Sequence, residues 1–523
     1  MSSGGLGQTD YGSHPDIIGG LALEFYSRNR ASYPAGAPGV RGHRYDGGSQ
    51  PSCRLPGPGC NATFNLEPSR ALAIFEAMLR DAGVDVIYSA QVTAVRKIGS
   101  QVTSIDVGTG TDAVTLTAKV FVDASYEGDL FARAGVNYTV GREARSTYNE
   151  SLAGMSTGSR SNQFHVVVDP FDSNGSPLPL TQLPAAGLVV GQGDKRVPSY
   201  NFRLCVTQNV SNMVPFSKPA NYSSATFELL RRFLKVCAET HAAGEELPKQ
   251  CQVGYPSCNT AAVPGDKADM NNCGPVASDF IGESWAYPEA SYAERQEIWR
   301  RHRDYQMGVM WTMTSDPDVP VAIRKAQGSW GLCKDEFTDN SLGANWPPAL
   351  YVREARRLQG DKIFTQNTPA EQKAAGGMLN LSIGLGGYNF DSHNTQRLAC
   401  HNVSACYGVG PSGVNSSTAY AWDEGDVQVG PGVFQIPVWV MHPVEAEASN
   451  LLVVGAPSAS HIGMSTLRME PQFMIIGQAA GTVGSLAVNT TQGFVQQVDM
   501  ATVQRVLLTD GAKLSSSIDL HVT

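Results

Sequence analysis

The sequence contains no C-x-x-C pair, so zinc ribbons and cysteine-rich iron–sulfur motifs lack their ligand pattern. It has no run of 18 apolar residues, and no membrane-spanning helix is expected. It has no basic cluster: 39 Lys and Arg stand against 48 Asp and Glu, a net charge of -9, which argues against nucleic acid as a partner. Nor is it poor in apolar residues: 42% apolar and 17% charged is the make-up of a globular chain. What it has in quantity is glycine (54) and proline (30), hence many turns and close backbone approaches. Its 523 residues leave room for two or three domains.

Ten cysteines are spread through the chain. Cys53/Cys60, Cys251/Cys258 and Cys400/Cys406 are close pairs in turn-rich loops and suit loop-closing disulfides, although spacing alone also allows free thiols. Ten of 24 asparagines (61, 137, 149, 174, 209, 221, 380, 402, 415 and 489) begin N-x-S/T without proline, where composition alone would give roughly four. Together these features predict a disulfide-bonded glycoprotein of the secretory pathway. The opening MSSGGLGQTDYG has neither a charged nor an apolar signal region, so either a leader is already removed or the natural start lies elsewhere.

Hydrophobic spacing predicts an α/β organisation at both ends of the chain. Asp16 should cap a helix through Arg28, and Pro68 to Ala82 should form a second, with proline in its first turn and Gly83 after it. Strands are expected over 84–98, 101–108 and 114–125, then a helix from Glu127 to Ala134. A more irregular middle region carries helices over Ser223–Val236 and Ala290–Met307. The α/β pattern returns with a buried strand from Asn450, a proline-led helix Glu470–Val488 and a short helix Val498–Leu508.

Three distant segments carry a resemblance: VFVDASYEGDLFARAGVNYTVGRE (120–143), SIGLGGYNFDSHNTQR (382–397) and NLLVVGAPSASHIGMSTLRMEPQFMIIGQAAGTVGSLA (450–487). With the opening GGLGQTDYG, WGLCKDEF and WPPALYVREARR, they resemble the FAD-dependent oxidoreductase family, loosely related to the flavin subunit of heterodisulfide reductase. Some bacterial members of that family have been labelled xanthan lyases. The resemblance implies an FAD-binding flavoprotein sheet built from residues 1–145 and 446–490, a large inserted substrate domain over 146–445, and a tail helix in 491–523. It implies hydride transfer from a small organic substrate to FAD, then reoxidation by an acceptor the sequence does not identify. No nucleic-acid, membrane or metal partner is implied, and the oligomeric state is left open.

Cofactor contacts are implied at Gly4 and Gly5, at Val92 near adenine, and at the turn Ala124–Ser125 with Gly128 and Asp129. They are also implied at Gly455, Arg468, Gln472, Gly477 and Gly481 around the helix led by Pro471. A helix start there would favour charge on the pyrimidine edge of a reduced flavin. The glycine-rich phosphate turn and its first βαβ unit are missing: the only G-x-G-x-x-G, GVGPSG at 408–413, follows no strand and opens no helix. The expectation is an incomplete parallel sheet and a natural protein with more residues upstream.

For catalysis the candidates are His393 in DSH, with Arg397 nearby, and His461, with Arg468 following. Either histidine could take a substrate proton, and either arginine could hold an acidic substrate group or an anionic flavin edge. The loop 265–274 lacks the spacing of a calcium loop, and the charged runs 334–337 and 351–357 read as a solvated face or as internal ion pairs. Two other readings stay open: a secreted, cofactor-less homologue acting as a binding module, and a polysaccharide lyase.

Overall fold

A computed structural model describes residues 5–11, 14–34, 62–109, 112–157, 161–185, 187, 189–242, 260–339, 342–378, 380–411, 414 and 417–515. The helix Pro68–Asp81 runs where its proline and following glycine predict. The expected helix from Asp16 is instead a 3-10 turn, Pro15–Ile17, followed by a helix Gly20–Ala31. Gly20 causes the break, since its φ of 58° is a conformation that favours glycine. The cap comes from far away: Gln478 Oε1 accepts the Leu21 N–H at 2.9 Å.

The two ends of the chain meet in a parallel pair of short strands, Phe121–Asp123 and Leu451–Val453, with Phe121 opposite Leu451 and Asp123 opposite Val453. The long helix Glu470–Thr490 lies across them, with Gly484 over Val120 and Leu452. One core joins Phe25, Tyr26 and Phe64 to Ile475, Ile476 and Ala479 of that helix. It extends to the antiparallel strands Ser382–Gly386 and Phe434–Pro437.

A second core lies in the middle of the chain. Its five-stranded sheet has the order Met213–Val214, Gly331–Cys333, Leu204–Thr207, Lys267–Met270, Thr260–Val263. The helix Tyr292–Ser315 packs with this sheet and begins in a Ser291/Glu294 capping box. The architecture is mixed α/β, as expected. No helix among the described residues is long and apolar enough to cross a membrane.

Two features of the strands matter for the site. The strand expected from Val84 begins only at Gln91, and Val84, Val86, Ile87 and Tyr88 are exposed. No strand adjoins them, and neither member of the parallel pair has a second strand neighbour among the described residues. Among the described residues, nine of the sixteen exposed large apolar side chains fall between Leu72 and Val122 in the sequence.

The Cys400–Cys406 disulfide is present. Cys205–Cys333, which spacing did not suggest, ties neighbouring strands of the five-stranded sheet. Cys237 and Cys273 are also disulfide-bonded, whereas Cys53/Cys60 and Cys251/Cys258 lie outside the described residues.

The two bridges close chain separations of 128 and 6 residues. The chain-entropy relation then gives about 5 kcal/mol for the first and about 2 kcal/mol for the second. Replacing Cys205 and Cys333 by alanine should therefore lower the denaturation midpoint clearly more than replacing Cys400 and Cys406. Matched thermal or urea melts of the two double variants check this order.

Candidate functional site

The centre of the site is the strand Phe390–Ser392 and the residue after it. Strand alternation sends Ser392 to one face and Asp391 and His393 to the other. The two candidate histidines therefore belong to opposite faces. On one, His461 Nε2 meets Ser392 Oγ at 3.0 Å and His461 Nδ1 meets Glu354 Oε2 at 2.7 Å. On the other, His393 Nδ1 meets Asp279 Oδ2 at 2.6 Å, while Nε2 lies 3.7 Å from Asp391 Oδ1, outside hydrogen-bond range. His461 is thus saturated at both ring nitrogens, and His393 has one nitrogen uncommitted.

Behind both histidines runs the segment Tyr351–Arg357. Of its two readings, internal ion pairing is the one found, because Arg353, Glu354 and Arg357 are all buried. Arg353 Nη2 pairs with Asp279 Oδ1 at 3.0 Å, behind His393. Glu354 holds His461 and pairs with Arg357, which also pairs with Glu143. Consecutive residues thus orient the two histidines. Burial pushes the Asp279 carboxyl up, but Arg353 and His393 outweigh it and hold the group down at about 2. Asp391 is also held below its ordinary value: burial raises it, and His393 and Arg468 lower it more. Asp279, Arg353 and Glu354 escaped sequence reasoning. The only local signal was a charge-rich run with a tyrosine in it.

Arg468 is buried beside this strand and donates through Nη2 to the Asp391 carbonyl at 2.8 Å and its carboxylate at 3.2 Å. Arg397 turns elsewhere: its Nε pairs with Asp423 Oδ1 at 2.8 Å, and its Nη2 donates to the Pro275 carbonyl. Arg397 therefore belongs to the packing of the middle region. Burial pushes Asp423 up to about 7 despite that partner.

The start of the long helix faces a second polar cluster. Tyr351 Oη donates to Glu470 Oε1 at 3.3 Å, and the guanidinium groups of Arg203 and Arg353 each lie 5.3 Å from the Tyr351 ring centre. Several buried polar atoms here have no hydrogen-bond partner: Glu470 Oε2, Gln472 Oε1, Arg203 Nη1, Arg353 Nε and both amide atoms of Asn394. Burial raises Glu470 to about 7, with Asp10 adding to the rise and Arg203 and Arg468 opposing it.

The two expected cofactor turns converge. A Cβ on Gly455 would strike the Ser125 carbonyl, and the Tyr126 and Phe473 rings meet at 5.5 Å between the turn and the helix start. Asp123 takes one amide of the turn and two of the helix that follows it. Asp123 Oδ1 accepts from Ser125 N at 3.0 Å, and Oδ2 accepts from Leu130 N and Phe131 N at 3.0 and 3.1 Å. Gly128 has a φ of 69° and leads into the helix Asp129–Arg133. Asp129 is paired with Arg295 at 2.6 Å and Arg356 at 2.8 Å.

The Val92 carbonyl accepts from Tyr292 Oη at 3.2 Å, in the antiparallel sheet of Gln91–Ile98, Gln101–Thr109 and Asp112–Thr117. Gly477 lies under Val454, Gly481 borders open space, Gly5 packs against the Arg203 carbonyl, and Gly4 lies outside the described residues. Glu67, Asp335 and Glu336 converge as metal ligands could, but Lys267 Nζ sits among them at 2.7, 2.8 and 2.7 Å.

Glu470 makes stability depend on pH. Its carboxyl titrates at about 7 when folded against an ordinary 4.5, so the folded state holds the proton more tightly and stability falls as pH rises through that interval. Glu470→Gln, which mimics the protonated acid, should be the more stable protein above pH 7 by on the order of 2–3 kcal/mol. It should lose that advantage below about pH 5, which paired urea melts at the two pH values will read.

The family model described as FAD dependent oxidoreductase matches residues 1–507. No curated protein and no solved structure matches the chain. With nearly the whole length matched, and with the serine turn and the helix start brought together, the chain belongs to the FAD-dependent oxidoreductase family; FAD is its cofactor and flavin-dependent oxidation–reduction its chemistry.

Proposed function

We propose that the flavin lies between the Ala124–Ser125 turn and the start of the helix Glu470–Thr490, and that His393 takes the proton of a small organic substrate oxidised there. What supports a flavin at this place is the set of unpartnered buried atoms at Glu470, Gln472, Arg203, Arg353 and Asn394. Buried polar groups left without partners are costly, and a ring edge that alternates donors and acceptors would satisfy them. Gln472, Arg203 and Gly477 would hold that edge and the ring beside it. When bound, FAD supplies a two-electron, hydride-accepting ring.

The observation that carries the catalytic reading is the difference between the histidines. A base needs an unoccupied ring nitrogen within reach of the substrate proton, and His393 Nε2 has one. Asp279, kept ionised by Arg353, accepts from Nδ1 and stabilises the imidazolium once Nε2 has taken the proton. Arg468 and Asp391 hold the strand that carries it. His461 has no such nitrogen to offer and acts as a strut.

The exposed apolar surface between Leu72 and Val122 belongs to the same reading. A βαβ layer laid on it would extend the parallel pair and supply the diphosphate contacts. The Ser125 amide and the Leu130 and Phe131 amides of the helix after the turn are already taken by Asp123.

The test is anaerobic reduction of the purified flavoprotein with a panel of alcohols, 2-hydroxy acids and amines, followed by the bleaching of the flavin absorbance. His393→Gln should retain the absorbance and slow bleaching by about 10²–10⁴-fold. Asp279→Asn should slow it too, because the imidazolium formed at His393 loses the carboxylate that stabilises it. Bleaching of His393→Gln at the wild-type rate by every reactive substrate would reject the assignment.

A further inference from the structure

Eight of the ten N-x-S/T asparagines fall among the described residues. Seven of them (Asn137, Asn149, Asn174, Asn209, Asn221, Asn380 and Asn489) are exposed, and the eighth, Asn402, is half-buried. The twelve described asparagines outside such tripeptides behave in the opposite way: only Asn389 is exposed, and Asn29, Asn201, Asn272, Asn394 and Asn450 are buried. Nothing in folding requires an exposed asparagine to be followed two residues later by a hydroxyl. The association of the tripeptide with exposure therefore calls for an agent that reads both, and an enzyme that glycosylates asparagine does so.

The local geometry is compatible with attachment at Asn209 and Asn402, while Nδ2 of Asn137 and of Asn489 donates to Glu447 Oε1 and to the Ser485 carbonyl in the unmodified chain. Asn209 Oδ1 accepts from Ser211 N at 3.1 Å and Ser211 Oγ at 2.7 Å, an arrangement that engages the oxygen and leaves Nδ2 for a substituent. Asn402 Oδ1 accepts from Ala405 N at 2.9 Å in the same manner. The disulfides Cys205–Cys333 and Cys400–Cys406 belong to an oxidising compartment, an independent sign of the same route. No N-x-S/T tripeptide begins between Ala62 and Val136, the stretch that holds nine of the exposed large apolar side chains.

We propose that the exposed asparagines of these tripeptides carry N-linked oligosaccharides, and that the protein matures in a compartment that both glycosylates and oxidises. In the transfer an Asn Nδ2–H bond breaks and an Nδ2–C bond forms to the anomeric carbon of the sugar. The donor is a lipid-diphosphate-linked oligosaccharide, its diphosphate is the leaving group, and no electrons change hands. This inference is independent of where the flavin lies.

The experiment takes the protein from its natural source and digests it with and without peptide-N-glycosidase in ¹⁸O-water before peptide mass mapping. Conversion of asparagine to ¹⁸O-labelled aspartate is expected at a majority of the seven exposed positions, with none at Asn389 or in the enzyme-free control. Recovery of a majority of the seven peptides in unmodified form before enzyme treatment overturns the proposal. Ser176→Ala removes one tripeptide while leaving Asn174 in place. It should shed the mass of one glycan with an unchanged melting temperature, whereas an unchanged mass would count against attachment there.

Discussion

Burying a charge without a partner is among the most expensive things a protein can do, and this fold buries Arg353, Glu354 and Arg357 within five residues. Each must be answered by a partner: Arg353 by Asp279, Arg357 by Glu143 and by Glu354, which also holds His461 Nδ1. Removing one member of such a pair typically costs about 3–5 kcal/mol, mostly the penalty of the charge left behind. The arrangement is therefore a weak source of net stability but a strict constraint on geometry. It locks the strand Phe390–Ser392, the helix start at His461 and the segment Tyr351–Arg357 into one relative position.

That constraint separates two histidines of similar surroundings. Both are buried, both meet a carboxylate through Nδ1, and both lie beside the same strand. Their difference is one atom deep: a serine hydroxyl closes Nε2 of His461, while Nε2 of His393 faces Asp391 beyond hydrogen-bond range. Pleating alone produces the difference, because Ser392 and His393 are consecutive and must face opposite ways. A one-residue register slip here would turn His393 toward the face of His461 and take Ser392 away from it.

What could be read in advance was whatever is encoded locally. The proline-led helices Pro68–Asp81 and Glu470–Thr490, the short helix Met500–Thr509 and the Cys400–Cys406 loop are set by neighbours in sequence. What could not be read depends on partners hundreds of residues away. Gln478 caps the helix at Leu21 in place of Asp16, Cys205 finds Cys333, and Lys267 turns three acidic groups from a candidate metal site into an ion-pair knot. The Val84–Tyr88 stretch shows the converse case. Its β-branched run reads as a strand, but a strand needs a neighbour to bond with, and none of the described residues provides one.

The parallel pair brings these strands of argument to one place. Two three-residue parallel strands do not make a sheet that stands alone, since parallel sheets are covered on both faces and usually have several members. The long helix covers one side through Gly484, Leu452 and Val120, while Val122 on the first strand is exposed. The same pair delivers the serine turn, where Asp123 holds the Ser125 amide and two amides of the helix that follows, while the helix start opposite is polar. The helix start therefore carries the polar end of the site, and Val122, on the strand beside it, is an apolar edge that no strand among the described residues covers.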